Sequence, residues 1–312
     1  MNERSPKVSI GIPVYNGADY LAEAIESILD QTYADLELII SDNASDDATE
    51  DICRKYETAD DRVVYLRREH NVGANPNYNR TFRHARGELF KWAAHDDTLE
   101  PTYLERCVEM MDDDPGLVLV HSQTRLIDRT GDPLLMLRAG ALDGDGFVEG
   151  LPDPPILFEL GGDEQVWRRF RAVLRYISFA FPIFGVMRYE ALRQTRLMQA
   201  FYGTDKVLLG ELALVGRFGL VPELLWNRRC HPDTSTRNSD PEQRQRWSDP
   251  TSSGSFYPTN MMRGYVTALR NAPLEPYERL RCQQELARKS VEPGKWRLML
   301  LPGPWNVLGW GN

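Results

Sequence analysis

At 312 residues, with 42% apolar, 27% charged and 10% aromatic side chains, the chain has the balance of a globular protein long enough to bury a substantial core. A net charge of −9 argues against a nucleic-acid surface, which works by neutralising phosphates, and any anionic ligand would need local cations of its own. No apolar run approaches the roughly 18 residues of a membrane span.

The opening Met1-Asn2-Glu3-Arg4-Ser5-Pro6 lacks the basic-then-apolar order of a secretory signal, which predicts a cytoplasmic protein. Cys53, Cys107, Cys230 and Cys282 lie far apart without CxxC spacing, so neither a zinc site nor a disulfide framework is expected.

Taken in chain order, Lys7 to Val14 reads as a buried strand, followed by the turn residues Tyr15-Asn16-Gly17 and a helix from about Ala18 to Asp30. A second strand, Leu36 to Ile40, ends in Ser41-Asp42-Asn43, where Ser45 or Asp46 can cap the helix carrying Ile52 and Tyr56. Val63 to Leu66 is the third strand. Past Asn71-Val72-Gly73, a helix through Tyr78 and Phe82 leads to a fourth strand, Leu89 to Ala94, which ends in His95-Asp96-Asp97. Pro101 suits the first turn of the next helix. Four strand-then-helix units in succession predict a mostly parallel sheet wrapped by helices.

In such sheets the ligand sits at the carboxyl ends of the strands. Tyr15 and Asn16, Asp42, and Asp96 with Asp97 all fall there.

Further on, residues 139 to 163 are rich in Gly, Asp and Pro and predict a mobile loop. Helices are expected at Val166 to Tyr176 and Lys206 to Val215, a strand at Phe184 to Met187, and extended chain at Leu220 to Trp226. The polar run Asp233 to Gly254 reads as a loop. Two helices follow, near Asn260 to Leu269 and Pro276 to Arg288. The tail carries Trp296, Trp305 and Trp310, aromatics that suit either packing on the domain or resting on a membrane surface.

Adjacent aspartates after a strand point their side chains different ways, so one can meet a metal while the other meets the ligand. Hard oxygen donors suit Mg²⁺ or Mn²⁺, which complete their shells with water and substrate phosphate. Asp96 or Asp97 serves equally as the cap of the helix near Pro101, and Asp42 as a turn residue. Pro13-Val14-Tyr15-Asn16-Gly17 offers one glycine where a dinucleotide-binding fingerprint needs three, and the phosphate-loop lysine motif is missing.

Taken together, Val8-Ser9-Ile10-Gly11-Ile12-Pro13-Val14-Tyr15-Asn16, Ala24-Ile25-Glu26-Ser27-Ile28-Leu29-Asp30-Gln31-Thr32-Tyr33, the run Glu37 to Thr49, Asn71-Val72-Gly73 and His95-Asp96-Asp97-Thr98-Leu99-Glu100-Pro101 resemble the family-2 glycosyltransferases. The resemblance is close over residues 7 to about 128 and looser to about 232.

It implies an α/β GT-A fold, a Rossmann-like mostly parallel sheet flanked by helices. The domain would span 1–232, with a nucleotide-binding half at 1–128 and an acceptor-binding half at 129–232. A loop and helical C-terminal extension would occupy 233–312. The implied activity is inverting transfer of a sugar from a nucleoside-diphosphate sugar, UDP being the expected carrier, to an acceptor hydroxyl in polysaccharide, lipopolysaccharide or glycolipid assembly. The acceptor would be a glycan or lipid-linked molecule, reached by a cytoplasmic enzyme with peripheral contact to the inner face of a membrane.

Carried over by position, the resemblance has Pro13, Tyr15 and Asn16 line the nucleotide pocket and Asp42 bind the base. Asp96 would contact the nucleotide or sugar, and Asp97 the metal, Mg²⁺ or Mn²⁺. His95 stands where the family often has an acid. Tyr202-Gly203-Thr204-Asp205 resembles the region that supplies the base, which makes Asp205 the candidate to take the acceptor proton; the alternative is a helix N-terminal acid stabilised by the dipole. His231, in Arg228-Arg229-Cys230-His231-Pro232, resembles the late segment that closes over the donor, as a metal ligand or a structural donor, with Arg228 and Arg229 as cationic help. A nucleotide-sugar pyrophosphorylase would begin with a glycine-rich, arginine-bearing loop, which is missing. A non-catalytic relative that binds a sugar or a partner on the same fold is the competing reading.

Overall fold

The structure is a computed structural model that describes residues 5–137, 140–142, 148–149, 161–177, 180–231, 241–251 and 257–290. Strand β1 (Val8–Val14) is followed by helix α1 (Leu21–Leu29), β2 (Leu36–Asp42), α2 (Thr49–Ala59), β3 (Val63–Arg67), α3 (Ala74–His84) and β4 (Leu89–Trp92). These are the four predicted strand-helix units, with α2 preceded by Ala48 and Asp47 rather than capped by Ser45 or Asp46: the Asp47 carboxylate accepts the Thr49 amide at 3.0 Å.

After β4 come β5 (Thr98–Leu99), α4 (Tyr103–Asp113) and β6 (Leu117–Ile127). Then β7 (Leu135–Leu137), β8 (Gly140–Leu142) and β9 (Val148–Glu149) form a small antiparallel sheet. Helix α5 (Val166–Tyr176), a 3₁₀ turn (Phe181–Phe184), β10 (Val186–Arg188), α6 (Tyr189–Arg193), α7 (Thr204–Val215), β11 (Arg217–Arg229), α8 (Pro241–Ser248), α9 (Tyr257–Asn271) and α10 (Pro276–Ser290) complete the described chain.

The main sheet has the order β3-β2-β1-β4-β10-β6-β11-β5. Strands β3, β2, β1 and β4 are parallel. Strand β10 runs antiparallel between β4 and β6, β6 and β11 are parallel, and β5 is antiparallel to β11. The chain therefore winds outward from β1 to β3, then returns across β1 to β4. The carboxyl edge at this reversal of strand order is where open α/β sheets take their ligands.

Alternation along β1 sends Ile10, Ile12 and Val14, all buried, into a core shared with Leu21, Ile25 and Ile28 of α1. The other face packs on α3. Gly11 has no side chain because none fits: a Cβ there would stand 2.4 Å from Thr81 Oγ1 and 2.5 Å from Thr81 Cβ. A third cluster joins α5 and α7 to α9 and α10 through Phe170, Leu174, Val207, Tyr265 and Leu286, so the C-terminal helices rest on the helix that begins at Thr204.

Two expectations change. Where residues 139 to 163 read as irregular, residues 140–142 and 148–149 are strands, too short to show a period of two. Where Asp233 to Gly254 read as loop, α8 forms at 241–248: its sequence PEQRQRWS is polar all round, leaving no apolar stripe to read, and its stability comes from contacts with the loop before α7 described below. Trp296, Trp305 and Trp310 lie outside the described residues. All four cysteines are buried thiols. Among the described residues no helix is long and apolar enough to cross a membrane.

Strand β4 also buries a lysine. Lys91 is fully inaccessible, its Nζ donates to the carbonyls of Trp92, at 3.2 Å, and Phe184, and it stands over the Tyr103 ring at 4.8 Å. Burial pulls it down from 10.5 to about 7. Between these values the unfolded chain holds a proton that the native chain lacks, so this residue makes stability rise with pH across that window, the full cost of the buried charge applying below it. Urea titrations at pH 7.5 and 9.5 should show this: Lys91→Met is expected to abolish that part of the rise, and an identical pH slope in both proteins would contradict it.

Candidate active site

Strand register puts Val14, Asp42 and Arg67 in one row at the carboxyl edge of β1, β2 and β3. Asp42 is fully buried, and both its oxygens are engaged. Oδ1 accepts the Ser45 amide at 2.8 Å and the Ser45 hydroxyl at 2.6 Å; Oδ2 accepts the Tyr65 hydroxyl at 2.8 Å and an Arg67 Nη. Four donors fill the four lone-pair directions of a carboxylate. Asp42 thus holds the pocket edge together, and Arg67, about a third exposed, is the member of the pair that faces outward.

The first loop is laced to the second. Asn16, in the left-handed region at φ 51°, donates its amide to Ser45 Oγ at 2.9 Å and exchanges two bonds with Asp46. The Gly17 amide reaches Thr49 Oγ1 at 2.9 Å and that of Ala18 reaches Asp47 at 3.0 Å. Pro13 is buried within β1, whereas Tyr15 is 45% exposed at the strand's end, a free aromatic face. On the β4 side, a Cβ on Gly17 would stand 2.6 Å from the His95 ring. The Tyr15-Asn16-Gly17 turn and the His95-Asp96-Asp97 loop are therefore in contact across the point where the strand order reverses.

Neither Asp96 nor Asp97 caps a helix: β5 intervenes, and α4 starts at Tyr103. Their environments differ. Asp96 Oδ2 is 2.9 Å from His231 Nε2; burial alone would raise its pKa, but the charge of His95, the His231 bond and Arg228 outweigh this and hold it at about 2. Asp97 is buried, accepts the Arg229 amide at 2.9 Å, and is pushed up by burial and by the Asp96 charge.

Strand β11 delivers these partners. Arg228 stacks over Phe181 at 5.0 Å and acts on both aspartates. Arg229, although suggested by sequence as cationic help for a ligand, is 1% exposed and committed inside the protein. Its Nε donates to the Asp96 carbonyl at 2.9 Å, Nη1 to the carbonyls of Asp128 and Arg129, and Nη2 to Glu23 at 2.6 Å. It lies over the Tyr20 ring at 4.8 Å, and Tyr20 in turn packs on His231 at 5.0 Å. The first turn of α1 thus clamps the end of β11 against the aspartate loop.

Asp205 occupies the first turn of α7, behind Gly203 at φ 82°. Its Oδ1 accepts the Lys206 amide at 2.8 Å, and burial raises its pKa. Helix α3 fixes the approach to it: Asn79 and Met198 exchange bonds of 2.8 and 3.0 Å, and Asn75 donates to the carbonyls of Gln199 and Phe201. Gln245 of α8 accepts the Tyr202 amide at 3.2 Å, and Arg244 lies over the Tyr202 ring. Burial raises the pKa of the Tyr78 phenol, and the charges of Asp96, Asp97 and Asp205 add to it.

A divalent cation fits this donor set. Among the described residues no group of three or more His, Cys, Asp or Glu is arranged to hold a metal. Mg²⁺ and Mn²⁺, which take one or two carboxylates and complete their shells with phosphate and water, need no more than Asp97 and its neighbour. The charge at Asp97, costly beside Asp96, would be offset by such an ion.

With this geometry in place, the sequence comparison is decisive. The family model described as "Glycosyl transferase family 2" matches residues 9–161. Over these residues, just under half of the chain, the sequence matches this family. An uncharacterized glycosyltransferase of Rickettsia typhi is 38% identical over 138 residues, which cover 44% of this chain and 42% of that protein; the match thus spans less than half the relative's length.

Among solved structures, S. aureus TarS 1-349, in complex with UDP-GlcNAc, superposes with a TM-score of 0.64 at 16% identity, covering 96% of this chain and 77% of that one. A mannosyltransferase from Pyrobaculum calidifontis, in complex with GDP-Man and Mn²⁺, gives a TM-score of 0.52 at 16% identity, covering 95% and 84%. These likenesses establish the GT-A fold.

Sequence missed Arg67, Tyr78 and the Glu23–Arg229 pair. The last joins residues 206 positions apart, beyond any local pattern. Glu23→Gln would leave the buried Arg229 guanidinium without its counter-charge. The expected loss is about 1–2 kcal/mol, since Glu23 is half exposed; urea unfolding that detects no loss would show that carbonyls alone hold the arginine.

Proposed function

We propose that the protein transfers a glycosyl group from a nucleoside-diphosphate sugar, UDP being the carrier, to an acceptor hydroxyl with inversion at the anomeric carbon. The observation that carries this is the contact of the Tyr15-Asn16-Gly17 turn with the His95-Asp96-Asp97 loop where the strand order reverses, with the chain before Asp205 bonded to α3. The family match and the nucleotide-sugar complexes of the TarS and Pyrobaculum structures support it.

In this reading Pro13, Tyr15 and Asn16 line the nucleotide pocket, with Tyr15 supplying an aromatic face to the base and Asp42 fixing the base side of the pocket through Ser45, Tyr65 and Arg67. Asp97 would hold a Mg²⁺ or Mn²⁺ ion, whose chemistry there would be to offset charge on the departing diphosphate, and Asp96, backed by His231, faces the same ligand. The acceptor oxygen attacks the anomeric carbon, the bond from that carbon to the diphosphate oxygen breaks, and Asp205 takes the acceptor proton. Its raised pKa brings the base nearer to working pH. The single displacement needs one base and no covalent intermediate, hence inversion. The acceptor is a glycan or lipid-linked saccharide.

Calorimetric titration of UDP with Mn²⁺, and again with EDTA, tests the donor site. Binding is expected with Mn²⁺, at least tenfold weaker with EDTA, and insensitive to Mn²⁺ in Asp97→Ala. The affinity should also rise from pH 5.5 to 8, because Asp97 must lose a proton before it can hold a cation. Failure of UDP, GDP and dTDP alike to bind would favour the non-catalytic relative.

The base is tested by turnover. Asp205→Asn is expected to lower kcat by about 10²–10⁴-fold with UDP affinity unchanged; undiminished transfer would exclude Asp205.

A further inference from the structure

Tyr78 belongs to none of the motifs that carry the family likeness, and no role above uses it. It sits on α3 between the two parts of the site. Asn79, next in sequence, is bonded to Met198, and Asn75, nearly one turn back, to Gln199 and Phe201, on the segment that leads to Asp205. Its own ring lies 6.0 Å from that of Trp92, the last residue of the strand that leads to Asp96 and Asp97. The backbone here is fixed: the Tyr78 carbonyl accepts Trp92 Nε1 at 3.0 Å and Thr81 Oγ1 at 2.8 Å. The ring is half-buried, yet its hydroxyl hydrogen-bonds to no described residue and is not among the sealed, unsatisfied polar atoms. Burial and then the charges of Asp96, Asp97 and Asp205 raise its pKa, so it stays a protonated donor throughout the working range.

In the site as proposed, the diphosphate lies toward Asp97 and the acceptor hydroxyl toward Asp205. The group being transferred must lie between them, and α3 carries Tyr78 between the chain that precedes Asp205 and the strand that precedes Asp96 and Asp97. We infer that Tyr78 is a specificity residue for the donor sugar, its hydroxyl donating a hydrogen bond to a sugar oxygen. This rests on the nucleotide-sugar reading of the site. A polar group placed to bond a substrate oxygen discriminates among sugars that differ in that oxygen, because a mismatched sugar leaves the bond unmade.

Tyr78→Phe keeps the ring on Trp92 and removes only the hydroxyl. The test is calorimetric titration, in Mn²⁺, of wild type and variant with UDP alone and with UDP-GlcNAc, UDP-glucose, UDP-galactose and UDP-glucuronate. UDP affinity is expected to stay within about twofold, while affinity for the best-bound UDP-sugar falls about three- to tenfold, the worth of one neutral hydrogen bond, and the spread among the four sugars narrows. Equal losses for UDP and UDP-sugar, or no loss for either, would overturn the inference. Absence of nucleotide binding in wild type would instead remove the donor-site reading, and this inference with it; the two failures appear in different proteins.

Discussion

Two carboxylates side by side at the mouth of β4, both drawn largely out of water, impose the constraint around which the rest of the site is arranged. Adjacent buried negative charges are costly. The fold lowers the cost at one of them with His95, His231 and Arg228, and gives the other, Asp97, only the charge of Arg228 and one backbone amide, which do not offset its burial and the Asp96 charge. This asymmetry separates two roles: Asp96 is a permanent anion inside a hydrogen-bonded cluster, whereas Asp97 is the place where an added cation gains most.

Meeting that constraint requires the far end of the domain. Strand β11 runs beside β6 from Arg217 to Arg229, long enough to bring Arg228, Arg229 and His231 back to the loop that follows β4. The first turn of α1 then locks them in place through Glu23 and Tyr20. A parallel logic acts at the other carboxylate. Helix α3 is buried on two sides, with Asn77 bonded to Ser41 in β2 and Asn75 and Asn79 bonded to the chain before α7, so one helix sets the position of Asp205 relative to β1 and β2.

Much of this was legible in the sequence, for identifiable reasons. The strands β1 to β4 announce themselves because parallel strands buried on both faces read as apolar runs, and their ends because Tyr15, Asp42 and Asp96 interrupt those runs. That a ligand would sit at the carboxyl ends of these strands followed from the strand-helix alternation. What stayed hidden depends on partners remote in sequence. Asp42 and Arg229 have the residue types of ligand-binding groups, yet their side chains are spent within the protein, on Ser45, Tyr65 and Arg67 in one case and on Glu23 and three carbonyls in the other. Tyr78 looked like part of an apolar helical stripe, as an aromatic at helical spacing usually is. Helix α8 was unreadable because PEQRQRWS has no amphipathic period; contacts of Gln245 and Arg244 with residues 200–202 hold it.

The most direct test of the account is a crystal structure of the protein with UDP and Mn²⁺. The account predicts the uracil ring beside Tyr15 and the Asp42–Arg67 pair, the diphosphate and Mn²⁺ at Asp97, and Asp205 across an open gap from the β-phosphate, with Tyr78 lining that gap. A nucleotide bound elsewhere, or a Mn²⁺ held without Asp97, would contradict it.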